Sequence, residues 1–178
     1  PAPSESDLVR RLCSVDLCGL FSPPRVVREA KRYGLSAGEA MDLTTGWDFN
    51  LESHRDKAEK YIDDNKPLVV IGSPPCTPFS QLQAFSPASE SKERKWREGA
   101  RHMEFVVKLY RKYVDGGRVF LHEQPAHATS WALPVIRRMM EEVGVDVVEA
   151  RSSRGRVEVE VESRSSRIEV ESRGHRVG

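Results

Sequence analysis

Short apolar runs alternate along the chain with longer stretches in which apolar residues recur every three or four positions. Leu68-Val69-Val70-Ile71 is the clearest run, uninterrupted in the way of a strand buried on both faces of a parallel sheet. Leu12 to Leu17, Glu39 to Leu43, Val119 to Leu121 and Val145 to Val148 read as further strands. Helices fall between them. Ser22 can cap one with Pro23 at its first position; Val26, Val27 and Ala30 form its stripe and Gly34 stops it. His54 to Asp64 places Ala58, Tyr61 and Ile62 at core spacing. Glu93 to Val114 carries Met103, Val106, Val107 and Tyr110 on one face before Gly116-Gly117. Ser130 to Val143 ends at Gly144. Strands separated by helices predict an α/β fold with a doubly wound, mostly parallel sheet and helices on both faces.

The pattern changes at Ala150. Residues 1–150 read as one α/β domain, and residues 151–178 as a low-complexity tail with seven Arg, five Glu and no aromatic residue. Val157, Val159 and Val161 alternate with Glu158 and Glu160, which allows a charged edge strand or hairpin. The expectation is a solvated tail, because the segment has too little apolar surface for a core of its own. The whole chain has 178 residues, with 28 Lys plus Arg against 27 Asp plus Glu, so net charge alone does not point to nucleic acid. No apolar stretch approaches the roughly 20 residues of a membrane span. Three cysteines, an odd number, argue against a disulfide scaffold, and no zinc-ligand spacing is present. Cys13 and Cys18 read as small packed hydrophobes in a reducing, intracellular setting. The start at Pro1 and the composition of the tail lead to the expectation of a fragment or processed piece.

In a doubly wound sheet ligands sit at the carboxyl ends of the strands, so the loops there carry the candidates. Gly72-Ser73-Pro74-Pro75-Cys76-Thr77-Pro78-Phe79-Ser80 follows the most buried strand. Its prolines stiffen the backbone around one thiol, a good station for a nucleophile; the alternative is a Cys76 that merely packs against Phe79. Glu123 follows the next strand and can share proton transfer with Cys76, or it can serve as an ion-pair or capping residue. His122, one position earlier, points to the other face and is expected to be packed or hydrogen-bonded. Lys92, Arg94, Lys95, Arg97 and Arg101 with Trp96 make a basic helix face that suits phosphate, although such faces are more often simply solvated.

Gly-Ser-Pro-Pro-Cys-x-x-Phe-Ser after a buried strand, then a long helix, then a strand ending in Glu-Gln-Pro, resembles the cytosine-5 DNA methyltransferases, over roughly Leu12 to Ala150. The resemblance implies a class I, Rossmann-like domain that uses S-adenosylmethionine. It implies Cys76 as nucleophile toward carbon 6 of cytosine and Glu123 as the group at ring nitrogen 3. It further implies cofactor contacts from Asp16, Gly19, Pro74 and Pro75, with Asp42 for the ribose hydroxyls and Asp48 or Trp47 beside the adenine. Asp42 reads equally well as a turn cap. DNA is the expected partner and RNA a further one.

The family's Asp-Leu-Phe-x-Gly-x-Gly-Gly loop is replaced by Asp16-Leu17-Cys18-Gly19-Leu20-Phe21-Ser22-Pro23-Pro24, with Leu20, Ser22 and Pro23 about where glycines would lie. Weak cofactor binding is the consequence expected. Thr77 and Gln124 replace the usual Gln and Asn, and nothing after Ala150 resembles the family's later motifs. Two other readings follow. One is an inactive methyltransferase-like module that binds nucleic acid or a partner. The other is a relative of the amino-methylating enzymes, in which Cys76 would stand where a stacking aromatic belongs.

Overall fold

Four strands, β1 (Leu17–Leu20), β2 (Ala37–Met41), β3 (Val69–Gly72) and β4 (Val119–His122), form one all-parallel sheet in the order β2-β1-β3-β4. The computed structural model describes residues 12–145 and the strands at 147–153, 156–162 and 167–172. From β1 the chain steps outward to β2, then returns past β1 to β3 and on to β4. The carboxyl ends of β1 and β3 therefore flank the point where the winding reverses, the usual ligand crevice of such sheets. The fold is the doubly wound, Rossmann-like α/β architecture that the alternation of runs and helices predicts.

Helices cover both faces. On one, α1 (Arg25–Arg32) packs Val27 and Ala30 against Leu17, Ala40 and Val69. On the other lie α2 (Glu52–Asn65) and α3 (Glu90–Asp115), joined by Lys108–Glu59 and Lys112–Asp63 ion pairs of 2.7 and 2.6 Å. The buried stripe of α3 includes Met103, Val106, Val107, Leu109, Tyr110 and Tyr113. Each such side chain, fully removed from water, contributes about 1.5–3 kcal/mol. Tyr110 stacks on Phe120 at 4.3 Å, and its hydroxyl reaches over Gly72 to His122 Nδ1 at 3.1 Å. A Cβ at Gly72 would lie 1.8 Å from that hydroxyl, so only glycine lets the ring pass there.

Several boundaries differ from the pattern-based expectation, each for a local reason. β1 begins at Leu17, not Leu12, because Asp16 is tied to Ser36: its backbone N–H donates to Ser36 O at 2.7 Å and its carboxylate accepts the Ser36 N–H at 2.8 Å. Ser22 does not cap α1; it is buried over Gly19, and the helix begins at Arg25 after Pro24. β2 ends at Met41 because Asp42 caps a tight turn over Leu43–Thr45. α3 starts at Glu90 because the Ser89 hydroxyl accepts the Lys92 N–H at 3.2 Å. The helix expected from Ser130 splits into a short turn, Thr129–Ala132, and α4 (Pro134–Val143).

The largest difference lies at the C-terminal end. The strand expected at Val145 to Val148 is β5 (Val147–Ser153), and it pairs with no strand of the parallel sheet. It pairs antiparallel with β6 (Arg156–Glu162), which pairs antiparallel with β7 (Arg167–Ser172). The hairpin option read from the Val-Glu alternation, and not the solvated tail, matches this backbone. The compositional boundary at Ala150 falls inside β5, and the chain divides into compact units at Arg137/Arg138.

Candidate functional site

The loop after β3 is held by the segment after β4. The Glu123 N–H donates to Gly72 O at 2.9 Å, which carries the β3–β4 pairing one residue past the strands. The Ser73 hydroxyl donates to Glu123 Oε2 at 3.0 Å, and Gln124 Nε2 donates to Pro74 O. The buried Ser130 hydroxyl donates to Gln124 Oε1 at 3.1 Å, fixing the amide, and the Thr129 hydroxyl donates to Phe79 O at 3.1 Å. Residues 123–130 thus grip the loop after β3 on both sides of Cys76. Pro74 is buried, Pro75 is exposed, and Cys76 is half-buried at the head of the Thr77–Phe79 turn. Phe79 is buried against Gly99, where an added Cβ would lie 2.9 Å from its ring.

Cys76 and Glu123 therefore lie on adjoining loops at the carboxyl ends of neighbouring strands, on elements that brace one another. Sequence reasoning named both but missed Ser73, Thr129 and Ser130, and took Gln124 only as a replacement. Each of these acts by a contact of high sequence separation or across a turn, which leaves no periodic signal. His122 is packed, as expected: burial lowers its pKa from the ordinary 6.5 to about 4, and it meets the Tyr110 and Trp131 rings edge-on.

The expected cofactor contacts do not all converge. Asp16 stands at the amino end of β1, the opposite edge of the sheet from the Cys76 loop, and Gly19 lies within the strand. The shift of β1 by several residues is the cause. A Cβ on Gly19 would lie 3.1 Å from the Ser22 Cβ, so the bare side of this glycine is filled by the chain itself. Asp42 and Asp48 do lie beyond the carboxyl end of β2. The Asp42 carboxylate accepts the Thr44 N–H at 2.9 Å and hydroxyl at 2.6 Å, which is the turn-cap role. Asp48 accepts the Asn50 N–H at 2.9 Å and donates its own N–H to His54 Nδ1 at 2.9 Å.

An aromatic cluster that the sequence pattern did not reveal lies beside these carboxylates. Phe21 meets Phe49 at 4.4 Å and His102 at 4.9 Å, and Phe49 meets Phe105 at 5.5 Å and Trp47 at 6.2 Å. His102 is 8% exposed, with neither ring nitrogen partnered. Burial lowers its pKa, and Arg101 and Arg55 push the same way. A buried polar group without a partner costs about 1–3 kcal/mol. Phe21, directly after β1, is held at φ 54°, the left-handed region that non-glycine residues rarely adopt. The loop after β1 lacks a glycine cradle for close backbone approach, because Ser22 fills the space over Gly19, while Asp42 and Asp48 stand beyond the end of β2.

The basic face of α3 is mostly committed. Lys92 donates to the backbone oxygens of Gln83 and Ser86, Arg97 pairs with Glu93 at 3.3 Å, and Arg94 lies 4.0 Å from Glu98. Among the described residues no helix is long and apolar enough to cross a membrane. No family model and no curated protein matches this chain.

Proposed function

We propose that the chain is a methyltransferase-like domain that acts on carbon 5 of cytosine in nucleic acid through Cys76. One observation carries the reading: Glu123 is hydrogen-bonded to Ser73, in the loop that bears Cys76, at the carboxyl ends of adjacent parallel strands. A cytosine entering this site has to leave its stack, at a cost of a few kcal/mol. The Cys76 thiolate forms the Sγ–C6 bond while the C5–C6 π pair moves toward carbon 5, with Glu123 hydrogen-bonding the ring at nitrogen 3 to steady the charge. Asp42, Asp48 and Trp47 would hold S-adenosylmethionine, whose sulfonium would supply the methyl group for carbon 5 and leave as the neutral thioether. The carbon 5 proton then passes to water, its electron pair re-forms the C5–C6 double bond, and the C6–Sγ bond breaks to release the Cys76 thiolate. Ser73 orients the Glu123 carboxyl, and Gln124 with Ser130 keeps the Pro74–Cys76 backbone fixed.

The experiment is incubation of the full chain with S-adenosylmethionine and cytosine-containing oligonucleotides, single-stranded and duplex, DNA and RNA. Mass spectrometry of the nucleosides should find 5-methylcytosine with the parent chain and none with Cys76→Ser. The filled space at Gly19 favours a second reading, an inactive module of the same fold that binds nucleic acid or a partner. Calorimetric titration with S-adenosylmethionine separates them, since an inactive module gives no heat of binding.

A further inference from the structure

Immediately after the Cys76 loop the chain forms a surface with no part in the chemistry above. A groove of about 800 Å³ runs between this segment and the start of α3, lined by Thr77, Pro78, Gln83, Lys92, Lys95 and Trp96 among others. Beside it stand three large apolar side chains in water: Leu82 at 72% exposure, Phe85 at 86% and Trp96 at 45%. Leu82 and Phe85 sit on a braced turn, and Trp96 on α3. Gln83 Nε2 donates to Thr77 O at 3.2 Å, the Ser80 hydroxyl accepts the Leu82 N–H at 3.3 Å, and Lys92 ties Gln83 O and Ser86 O to the helix. Holding such rings exposed on a fixed turn has no benefit for folding, and exposed apolar patches of this kind mark binding surfaces.

The charge in the groove is positive. The lining carboxylate Glu93 is bonded to Arg97, whereas Lys95 makes no salt bridge among the described residues. Aromatic faces beside an uncommitted cation match unpaired nucleotides, which offer a base face for stacking and a phosphate for the ammonium. A duplex keeps its base faces stacked inside and offers only edges and backbone. Thr77 and Pro78, which line the groove, directly follow Cys76.

Resting on the reading that Cys76 acts on a nucleobase, we infer that this groove binds an unpaired nucleotide next to the one presented to Cys76. Trp96 and Phe85 stack on the base, and Lys95 meets the phosphate. The substrate is then a single strand or a locally opened one.

The test is fluorescence anisotropy of the full chain with a short labelled single strand and with the same sequence as duplex, at low and moderate salt. The single strand should bind at least about tenfold more tightly. Trp96→Ala and Phe85→Ala should each weaken it about tenfold, as loss of a stacked base does. Lys95→Ala should lower the salt slope by about 0.7. Phe85 is so exposed that its truncation leaves the fold intact, which circular dichroism checks. Equal affinity for duplex and single strand, no binding of either, or unchanged affinity in both aromatic variants would overturn the inference. Selective single-strand binding with no 5-methylcytosine from the parent chain would sink the methyl-transfer reading and leave the groove standing.

Discussion

The loops after β1 and β3 lie side by side at the reversal of the winding, yet they are held in different ways. The β3 loop is gripped from the β4 side by four side-chain hydrogen bonds and bond relays, through Ser73, Gln124, Thr129 and Ser130. The β1 loop has no side-chain hydrogen bond of this kind among the described contacts: the Phe21 N–H donates to Met41 O at 2.8 Å, its ring leans on Phe49 and His102 in a left-handed backbone state, and Ser22 fills the space over Gly19. Hydrogen bonds fix direction and register, whereas aromatic packing tolerates rearrangement. The loop after β3 is therefore fixed by side-chain hydrogen bonds, and the loop after β1 by the packing of buried side chains.

The largest effect should come from the thiol. Cys76→Ser is expected to lower methyl transfer by about a thousandfold or more, with the thermal midpoint nearly unchanged because the side chain is only half-buried and the two are close in size. A fall in the midpoint of several degrees would recast Cys76 as a packing residue. Gly72→Ala strikes the root of the same loop. Its Cβ would lie 1.8 Å from the Tyr110 hydroxyl, in a core with no room to yield, and a loss of about 3 kcal/mol is expected. Denaturant unfolding measures it; a loss below about 1 kcal/mol would mean that Tyr110 moves freely.

Acid should loosen the β3–β4 end. Half-buried His122 has its folded pKa lowered by desolvation to about 4 from 6.5, so the unfolded chain binds the extra proton first. The stability contributed by the neutral ring is complete above pH 6.5 and is lost as pH falls toward 4, by roughly 3 kcal/mol. Burial of His102 acts in the same direction. His122→Phe should flatten the pH profile of stability over that window, and an unchanged slope would count against a desolvated, neutral His122.

Gln124→Ala removes the bond to Pro74 O and leaves the buried Ser130 hydroxyl without its acceptor, at about 1–3 kcal/mol. It should also change the rate at which iodoacetamide alkylates Cys76, which an equally destabilising substitution away from the loop should not do. The smallest effect is expected on the β1 side. Phe21→Gly relieves about 1 kcal/mol of left-handed strain while losing a half-buried ring. Net stability should shift by less than about 1 kcal/mol. A larger loss would show that packing holds this loop as firmly as hydrogen bonds hold the other.

The architecture was legible because its strands are compact apolar runs, with Leu68 to Ile71 the plainest, and because α3 repeats its apolar residues at helical period over many turns. The neighbouring of the strands at Leu68 to Ile71 and Val119 to Leu121 also followed, because a right-handed crossover usually returns beside or near the strand it left. The β1 loop was not legible. Leu12 and Val15 look like strand residues, but the Asp16–Ser36 bonds set the start of pairing, and such a contact has no signature along the chain. That shift displaced Asp16 and Gly19 from the crevice. The His102 cluster was hidden because Phe21, Phe49 and His102 come from separate elements and share no spacing. At the C-terminal end, alternating Val and Glu allowed a hairpin, but the lack of apolar surface led to the expectation of a solvated tail. The register of Val159 against Ala150 and Val170 decides for strands.

The most direct test of the central claim is covalent capture. An oligonucleotide with 5-fluorocytosine lacks the carbon 5 proton whose loss releases Cys76, so the Sγ–C6 bond persists after methyl transfer. The full chain, incubated with this strand and S-adenosylmethionine, is read by intact-mass spectrometry and peptide mapping. The account predicts a one-to-one adduct located at Cys76 and absent from Cys76→Ser. A chain that binds the strand and the cofactor, yet forms no adduct or forms one at Cys13 or Cys18, would contradict it.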